Sequence, residues 1–567
     1  MSALALMGIS LPVASFGATV TLTTGSSDPS GTHSFDSAGN WSDAAAPSSA
    51  NDYLVTGTQV LRTAQNGGSV TFGGNSLTIG DGTTNQARLL YKGTSGTVTL
   101  TINNFYLNNA TFQSSPTTNY GGGWNANSTV VLAGTMTIQS GGATFEVTTS
   151  KGYNAAYPMY SANWQINSTL LGSGTITVKN NASFGTNPTM QGSLILAGND
   201  DGYTGAFVLS NTNTTLQVGT GGSLGSLGSA SVTGTGNLLI NRSGTLVVSG
   251  SIAGAITVTQ AGSGTTTLNS VNTYTGATTI SSGELAVNGS LAASSTVSIA
   301  SGATLSGAGN VGGDVNSTGG KINGSGLTIG GSATLTGFST LSGVNTMGQV
   351  TIASGSTSLT GTTNTSSSGT FSVSIGATLN NNGVVNGNTS VGGLLSGTGT
   401  IKGDLALSGT LTPGNSAGTT TITGNLDLAT TAVVVIEVAG VSSHDQVKVS
   451  GNVNLAGTLD LSTLSGLTMG DSITLIDNTG TTTTTGGYFT EIITTGTTYT
   501  ITGSSTTYAI TIGGTNYLLN YAASTDGDNV YNDVTLSVVP EPSTWAMALG
   551  GIALLAFGQR MRRRSLA

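Results

Sequence analysis

Three groupings of side chains in this 567-residue chain have types that could do chemistry: Asp200-Asp201, His444-Asp445, and Asp526, Asp528 and Asp533 with Asn529 and Asn532. A carboxylate pair suits glycoside hydrolysis, but Asp200-Asp201 sits between Asn199 and Gly202 just before Tyr203, which reads as a polar turn. His444 and Asp445 are adjacent, so on a strand they face opposite ways, and no nucleophile motif accompanies them. The third group offers oxygen ligands of the kind calcium takes. Its spacing lacks both the EF-hand order and the Gly-rich nonapeptide of calcium β-rolls, so Asp526 to Asp533 reads as a turn. Between 205 and 430 the acids are Glu284, Asp314, Asp404 and Asp427, and the bases Arg242, Lys321 and Lys402. They are too dispersed to converge. No catalytic residue, cofactor or metal is expected, and the chain reads as a non-enzyme.

Aromatic side chains give the better binding signal. Tyr106, Tyr120, Trp124, Tyr153, Tyr157, Tyr160 and Trp164 cluster among Gly and Asn. Aromatic faces stack on sugar rings, so glycan contacts are expected at Trp124, Tyr157 and Trp164, with exopolysaccharide as the partner. The competing reading is that these rings fill wide first coils.

Composition sets what must position such residues. Charged residues make up 6% and aromatics 5%, with 88 Gly and no Cys. So little charge argues against a charge-driven disordered chain, and the absence of Cys leaves packing and backbone hydrogen bonds to hold the fold. A net charge of −9 leaves no footprint for nucleic acid.

From Thr19 the chain runs in short apolar alternations such as Thr97-Val-Thr-Leu-Thr-Ile102 and Ile176-Thr-Val178, broken by Gly, Asn and Ser. Period two between turn residues means strands. Internal repetition decides how they assemble. Tyr203-Thr-Gly-Ala206 recurs as Tyr274-Thr-Gly-Ala277, and the segment Leu305 to Val315 aligns with Leu395 to Leu405. The second pair places Asp314 against Asp404, a repeated structural turn. Such repeats fit an all-β chain: an elongated right-handed parallel β-helix whose rungs of roughly 20 to 30 residues bury their inward side chains by stacking. Glycine and Asn serve its corners, and stacked Thr and Asn form ladders along the axis.

The unit from Gly264 to Leu268 through Asn272-Thr-Tyr-Thr-Gly-Ala277 to Leu285 resembles the autotransporter-associated β-strand repeat; the copy at 203 is a weaker match. Together with Leu407 to Ser416 and Ile422 to Leu426, the resemblance covers about 190 to 460. Nothing resembles that group's C-terminal translocator barrel, so self-transport is not expected.

A different element stands in its place. Pro540-Glu541-Pro542 precedes an apolar run from Trp545 to Phe557 and then Arg560, Arg562, Arg563 and Arg564. Pro542 fixes a helix start, and thirteen apolar residues cover roughly 20 Å of a bilayer core about 30 Å thick. A span therefore borrows flanking residues from 543 to 559 and lets the arginines snorkel, with the C-terminus cytoplasmic. The order resembles the PEP-CTERM sorting signal of Gram-negative bacteria. That resemblance implies recognition and cleavage near Pro540, Glu541 and Pro542 by an exosortase-like membrane protease, and a membrane-anchored precursor bound for the cell surface or extracellular matrix. At the other end, Ala3 to Ala14 resembles a secretory h-region without a basic n-region.

The expected division is a signal-like segment at 1–18, aromatic-rich coils at 19–190, repeat-bearing coils at 191–430, distal coils or a β cap at 431–538, and the sorting signal with its hydrophobic helix at 539–567. The expected role is structural or adhesive; the alternative is a secreted β-helix enzyme or binding protein acting on polysaccharide.

Overall fold

The computed structural model describes residues 17–23, 35–64, 67–83, 86–92, 96–114, 128–149, 162–180, 192–414, 417–480, 486–503, 505–526 and 530–540. Two compact units divide the chain, Met1–Ser295 and Thr296–Ala567. Each is a stack of short parallel strands, a β-helix, and among the described residues no helix is long and apolar enough to cross a membrane. The expected hydrophobic helix and the segment at 1–16 lie outside the described residues.

In the first unit one face is an eight-stranded parallel sheet laid down in chain order, from Val60–Arg62 through Ala110–Ser114 and Thr175–Lys179 to Ile252–Gly254. Strand residues alternate between faces, so register fixes which side chains meet in the lumen. One inward column reads Leu61, Leu89, Phe112, Phe145, Val178 and Leu209. A second sheet supplies the column Val98, Val130, Trp164, Leu194, Leu216, Leu238 and Val258. The coil shortens along these columns. An early turn of the coil carries the chain from Met136 to its stacked partner Leu170, whereas a later one needs only the stretch from Leu238 to Val258.

Long coils enclose more cross-section, and aromatic rings fill it. Phe112 stacks on Phe145 at 4.3 Å, and Trp164 meets both edge-on at 5.4 and 6.1 Å. Near the start, Trp41 and Phe72 pack against Tyr53 at 4.8 and 5.3 Å. Burying rings in these edge-to-face pairs adds about 0.5–1.5 kcal/mol each beyond area burial.

The second unit begins with tighter coils and widens again by the turn from Leu459 to Ile492. Leu305, Ile322, Leu341 and Leu359 stack in one column, and Leu379, Leu395 and Leu411 continue the pattern with still less chain between partners. Rung length therefore varies more than the sequence suggests: the turn from Leu379 to Leu395 falls below the expected range, and the turn from Met136 to Leu170 exceeds it. Glycine permits the tight corners: a Cβ on Gly361 would lie 2.1 Å from the Gly343 carbonyl oxygen of the rung before. The expected Asn ladder is present at one corner, where Asn364 donates to the Asn345 carbonyl at 3.1 Å and Asn386 to Asn364 Oδ1 at 2.5 Å.

Parallel coils continue through Gln446–Val449 and Thr458–Asp460 to Ser472–Asn478 and Glu491–Thr494. The arrangement then turns antiparallel: Ser472–Asn478 and Thr515–Ala523 both pair with Asp533–Val539, and Thr507–Ile512 pairs with Thr515–Ala523.

Candidate functional site

The repeat logic predicts that Asp314 and Asp404 share one corner, and the registers bear this out. Val315 reaches Leu405 through Ala333, Val350, Phe371 and Thr389, five rungs in register. Asp314 accepts the backbone N–H of Ser332 at 2.8 Å, and Asp404 that of Asn425 at 2.8 Å. The column is continued by Asn388, which accepts from Asp404 N–H at 3.1 Å, and Asn425, which accepts from Asn452 N–H at 2.8 Å. Each Asx oxygen satisfies an amide of the following rung, so these carboxylates are structural. An amide left without a partner at such a partly buried corner costs about 1 kcal/mol.

Two further acids, Asp445 and Asp533, are spent in the same way. Asp445 is buried and accepts from the amides of Gly418 and Glu437 at 2.8 and 3.2 Å. Burial holds its carboxyl above the ordinary range, and these two amides pull it back. Buried Asp533 receives Asn478 N–H at 2.9 Å and both the amide and hydroxyl of Thr525 at 2.7 and 2.6 Å. Its lone pairs serve the turn, whereas Asp528 and Asn529 lie outside the described residues. Among the described residues no group of three or more His, Asp or Glu is placed to hold a metal.

Of the three expected glycan contacts, Trp164 is corrected by the structure. It stands at an inward register position with no exposed surface, and its indole N–H donates to the Glu146 carbonyl at 3.0 Å. A ring closed off by Phe112 and Phe145 has no face for a sugar. Trp124 and Tyr157 lie outside the described residues. Sequence reading missed a second aromatic cluster, Tyr488, Tyr508 and Tyr521, with ring centroids 5.1 to 6.3 Å apart. Its members come from separate segments of the chain, so only pairing brings them together.

The two Tyr-Thr-Gly-Ala copies show what the motif does. Tyr203 and Tyr274 are both fully buried. Thr204 and Thr275 each donate to the preceding rung, at Gly172 and Gly254, both at 2.9 Å. A Cβ on Gly205 or Gly276 would stand 2.3 Å from a carbonyl oxygen of that rung, so neither position tolerates a side chain. Ahead of Tyr274, buried Asn272 closes the corner by accepting Ile252 N–H at 3.0 Å and donating to Ser270 O at 2.8 Å.

Ahead of Tyr203 that closure is replaced. Asp201 occupies the position equivalent to Asn272, and it is exposed. Asp200 is fully buried instead, with Oδ2 3.4 Å from the Ser226 N–H and Oδ1 without a hydrogen-bond partner. Burial pushes its carboxyl up to about 7, and the charge of Asp201 adds to the rise against the pull of Ser226. Further along the coil, Arg242 donates to the carbonyls of Gly225 and Ser223, pinning an extended turn. Its Nε is buried and carries no hydrogen bond. Between these elements lies a groove of about 410 Å³ walled by Asn199, Asp201, Ser226, Arg242, Leu224 and Val247. The acidic pair, expected to be only a turn, is therefore a turn that opens a cleft.

Comparison with known proteins adds three findings. The family model for the passenger-associated-transport-repeat matches residues 258–287. That segment comprises the paired strands Thr257–Gln260 with Thr278–Ile280, and Thr265–Leu268 with Glu284–Val287. The PEP-CTERM protein-sorting motif matches residues 538–564. The crystal structure of the Haemophilus influenzae Hap adhesin is similar over 92% of this chain and 71% of its own, at 12% identity and a TM-score of 0.24. No curated protein matches the chain. A sorting motif and a passenger repeat in one chain are the parts of an exported, surface-associated protein.

Proposed function

We propose that this chain is a structural or adhesive protein of the cell surface or extracellular matrix of a Gram-negative bacterium. An exosortase-like membrane protease recognises Pro540, Glu541 and Pro542, while 543–559 hold the precursor in the inner membrane and Arg560, Arg562, Arg563 and Arg564 keep its end cytoplasmic. The observation that carries the reading is where the sorting motif starts. Its match begins at residue 538, inside the last strand, Asp533–Val539, whose pairing with Thr515–Ala523 runs to Val539, the residue before Pro540. Cleavage near Pro540 therefore removes a label and leaves the sheet whole.

The role asks for persistence and surface, and no turnover. Buried Asp445 and Asp533 satisfy backbone amides, which is the use a stable scaffold has for them. Fractionation with intact mass of the native protein tests the reading. The expected product lies outside the cytoplasm and lacks the mass of the tail, and replacing the four arginines with Gln retains the precursor. A full-length product in the cytosol overturns it.

A further inference from the structure

We propose that the groove between Asp201, Arg242, Leu224 and Val247 binds a short segment of a neutral polysaccharide. The inference rests on the adhesive reading above and names its ligand class. The first argument is the departure from the repeat. At Tyr274 the corner is sealed by Asn272, so the fold needs nothing more there. At Tyr203 the same corner carries exposed Asp201 and, with Arg242 and an extended turn, walls a groove, and the neighbouring Asp200 keeps a buried carboxyl oxygen unpartnered, a costlier arrangement. Burying a polar atom unpaired is unfavourable, and packing alone gives no reason for it.

The second argument is the chemistry of the walls. Asp201 supplies acceptors, Asn199 both donors and acceptors, and Arg242 donors beyond the two given to carbonyls. Leu224 and Val247 stand 62% and 48% exposed at the rim, apolar surface of the kind that covers the C–H face of a sugar ring. Such a pairing of convergent polar groups with aliphatic edges suits a hydroxyl-rich ligand, and the volume falls within the range of about 300–1,000 Å³ found for small-ligand sites. Charge selects among polysaccharides. Asp201 and Arg242, the two charged groups in the wall, offset each other, which leaves no net positive charge to draw a polyuronate, so a neutral segment fits better.

Calorimetric titration of the full chain with cellohexaose, laminarihexaose, a mannan hexasaccharide and hexagalacturonate tests this. The expected result is saturable binding of at least one neutral hexasaccharide and at least tenfold weaker binding of hexagalacturonate. Asp201→Ala and Leu224→Ser, both at exposed positions, should each weaken the neutral ligand about tenfold, the loss that one well-made polar or apolar contact gives, with unfolding temperatures unchanged. No binding by any neutral hexasaccharide, preference for hexagalacturonate, or unaltered affinity in both variants overturns the proposal. Export is scored separately by fractionation, so an exported chain that binds no glycan sinks this inference alone.

Discussion

The first coils and the repeat-bearing coils of the second unit solve one problem at two sizes. In the first, one turn runs from Asp52 to Ser76 and a longer one from Met136 to Leu170, and the centre holds Phe112, Phe145 and Trp164 in mutual contact. In the second, turns run only from Leu305 to Ile322 and from Leu379 to Leu395, and the inward column is almost wholly Leu and Ile. From 296 to 430 the sequence holds two aromatic residues, Phe338 and Phe371, of which Phe338 is 85% exposed. Perimeter sets cross-section, and cross-section decides which side chain can reach native packing density. Aromatic content therefore reports coil width before it reports ligand.

The comparison is broken most directly at Trp164. Trp164→Ala leaves a cavity that its stacked neighbours cannot close, so the first unit should lose about 3–5 kcal/mol, read as a fall in its denaturation midpoint with the second unit unchanged. The next effect has the opposite sign. Burial raises the Asp200 carboxyl to about 7, with the Ser226 amide pulling it down and the charge of Asp201 adding to the rise. The folded state favours the neutral form, so its contribution is complete below about pH 4 and is lost as pH rises through 7. Asp200→Asn removes that loss: at pH 8 the variant should be more stable by roughly 2–4 kcal/mol, and at pH 4 equal to the native chain, as measured by melting at both.

Narrow coils are probed by adding bulk. Leu341→Phe, tolerable in a wide coil, should cost about 1–3 kcal/mol in the second unit, while a similar enlargement, Leu194→Phe, beside the Trp164 ring should cost less. Melting both variants side by side sharpens or breaks the link between perimeter and filler. The smallest change is Asp404→Ala, which strands the Asn425 amide at a partly buried corner and should lower stability by about 1 kcal/mol, with hydrogen exchange accelerated at Asn425.

Much of this was legible in the sequence, because strand alternation and internal repeats are local signals. The offset between the Leu305 and Leu395 segments marks five rungs, and Asp314 and Asp404 have the structural role that offset implies. Coil width was not legible: loop length between strands does not reveal which strands align, so Trp164 read as a sugar contact when register turns it inward. The groove was hidden for a related reason. Asp201 and Arg242 are distant in sequence and line one cleft only because Leu216 stacks on Leu238, and no motif marks such a pair.

The Asx column of the second unit has a further meaning. Asn388, Asp404 and Asn425 each offer an oxygen to an amide that follows them in the chain. A finished coil is thus a half-built seat for its successor and gives nothing back to its predecessor through that side chain. Assembly along this corner has a direction, like a zip with teeth cut on one side. A polypeptide emerging in sequence order finds every seat waiting, whereas one emerging in reverse would bring each amide before its acceptor.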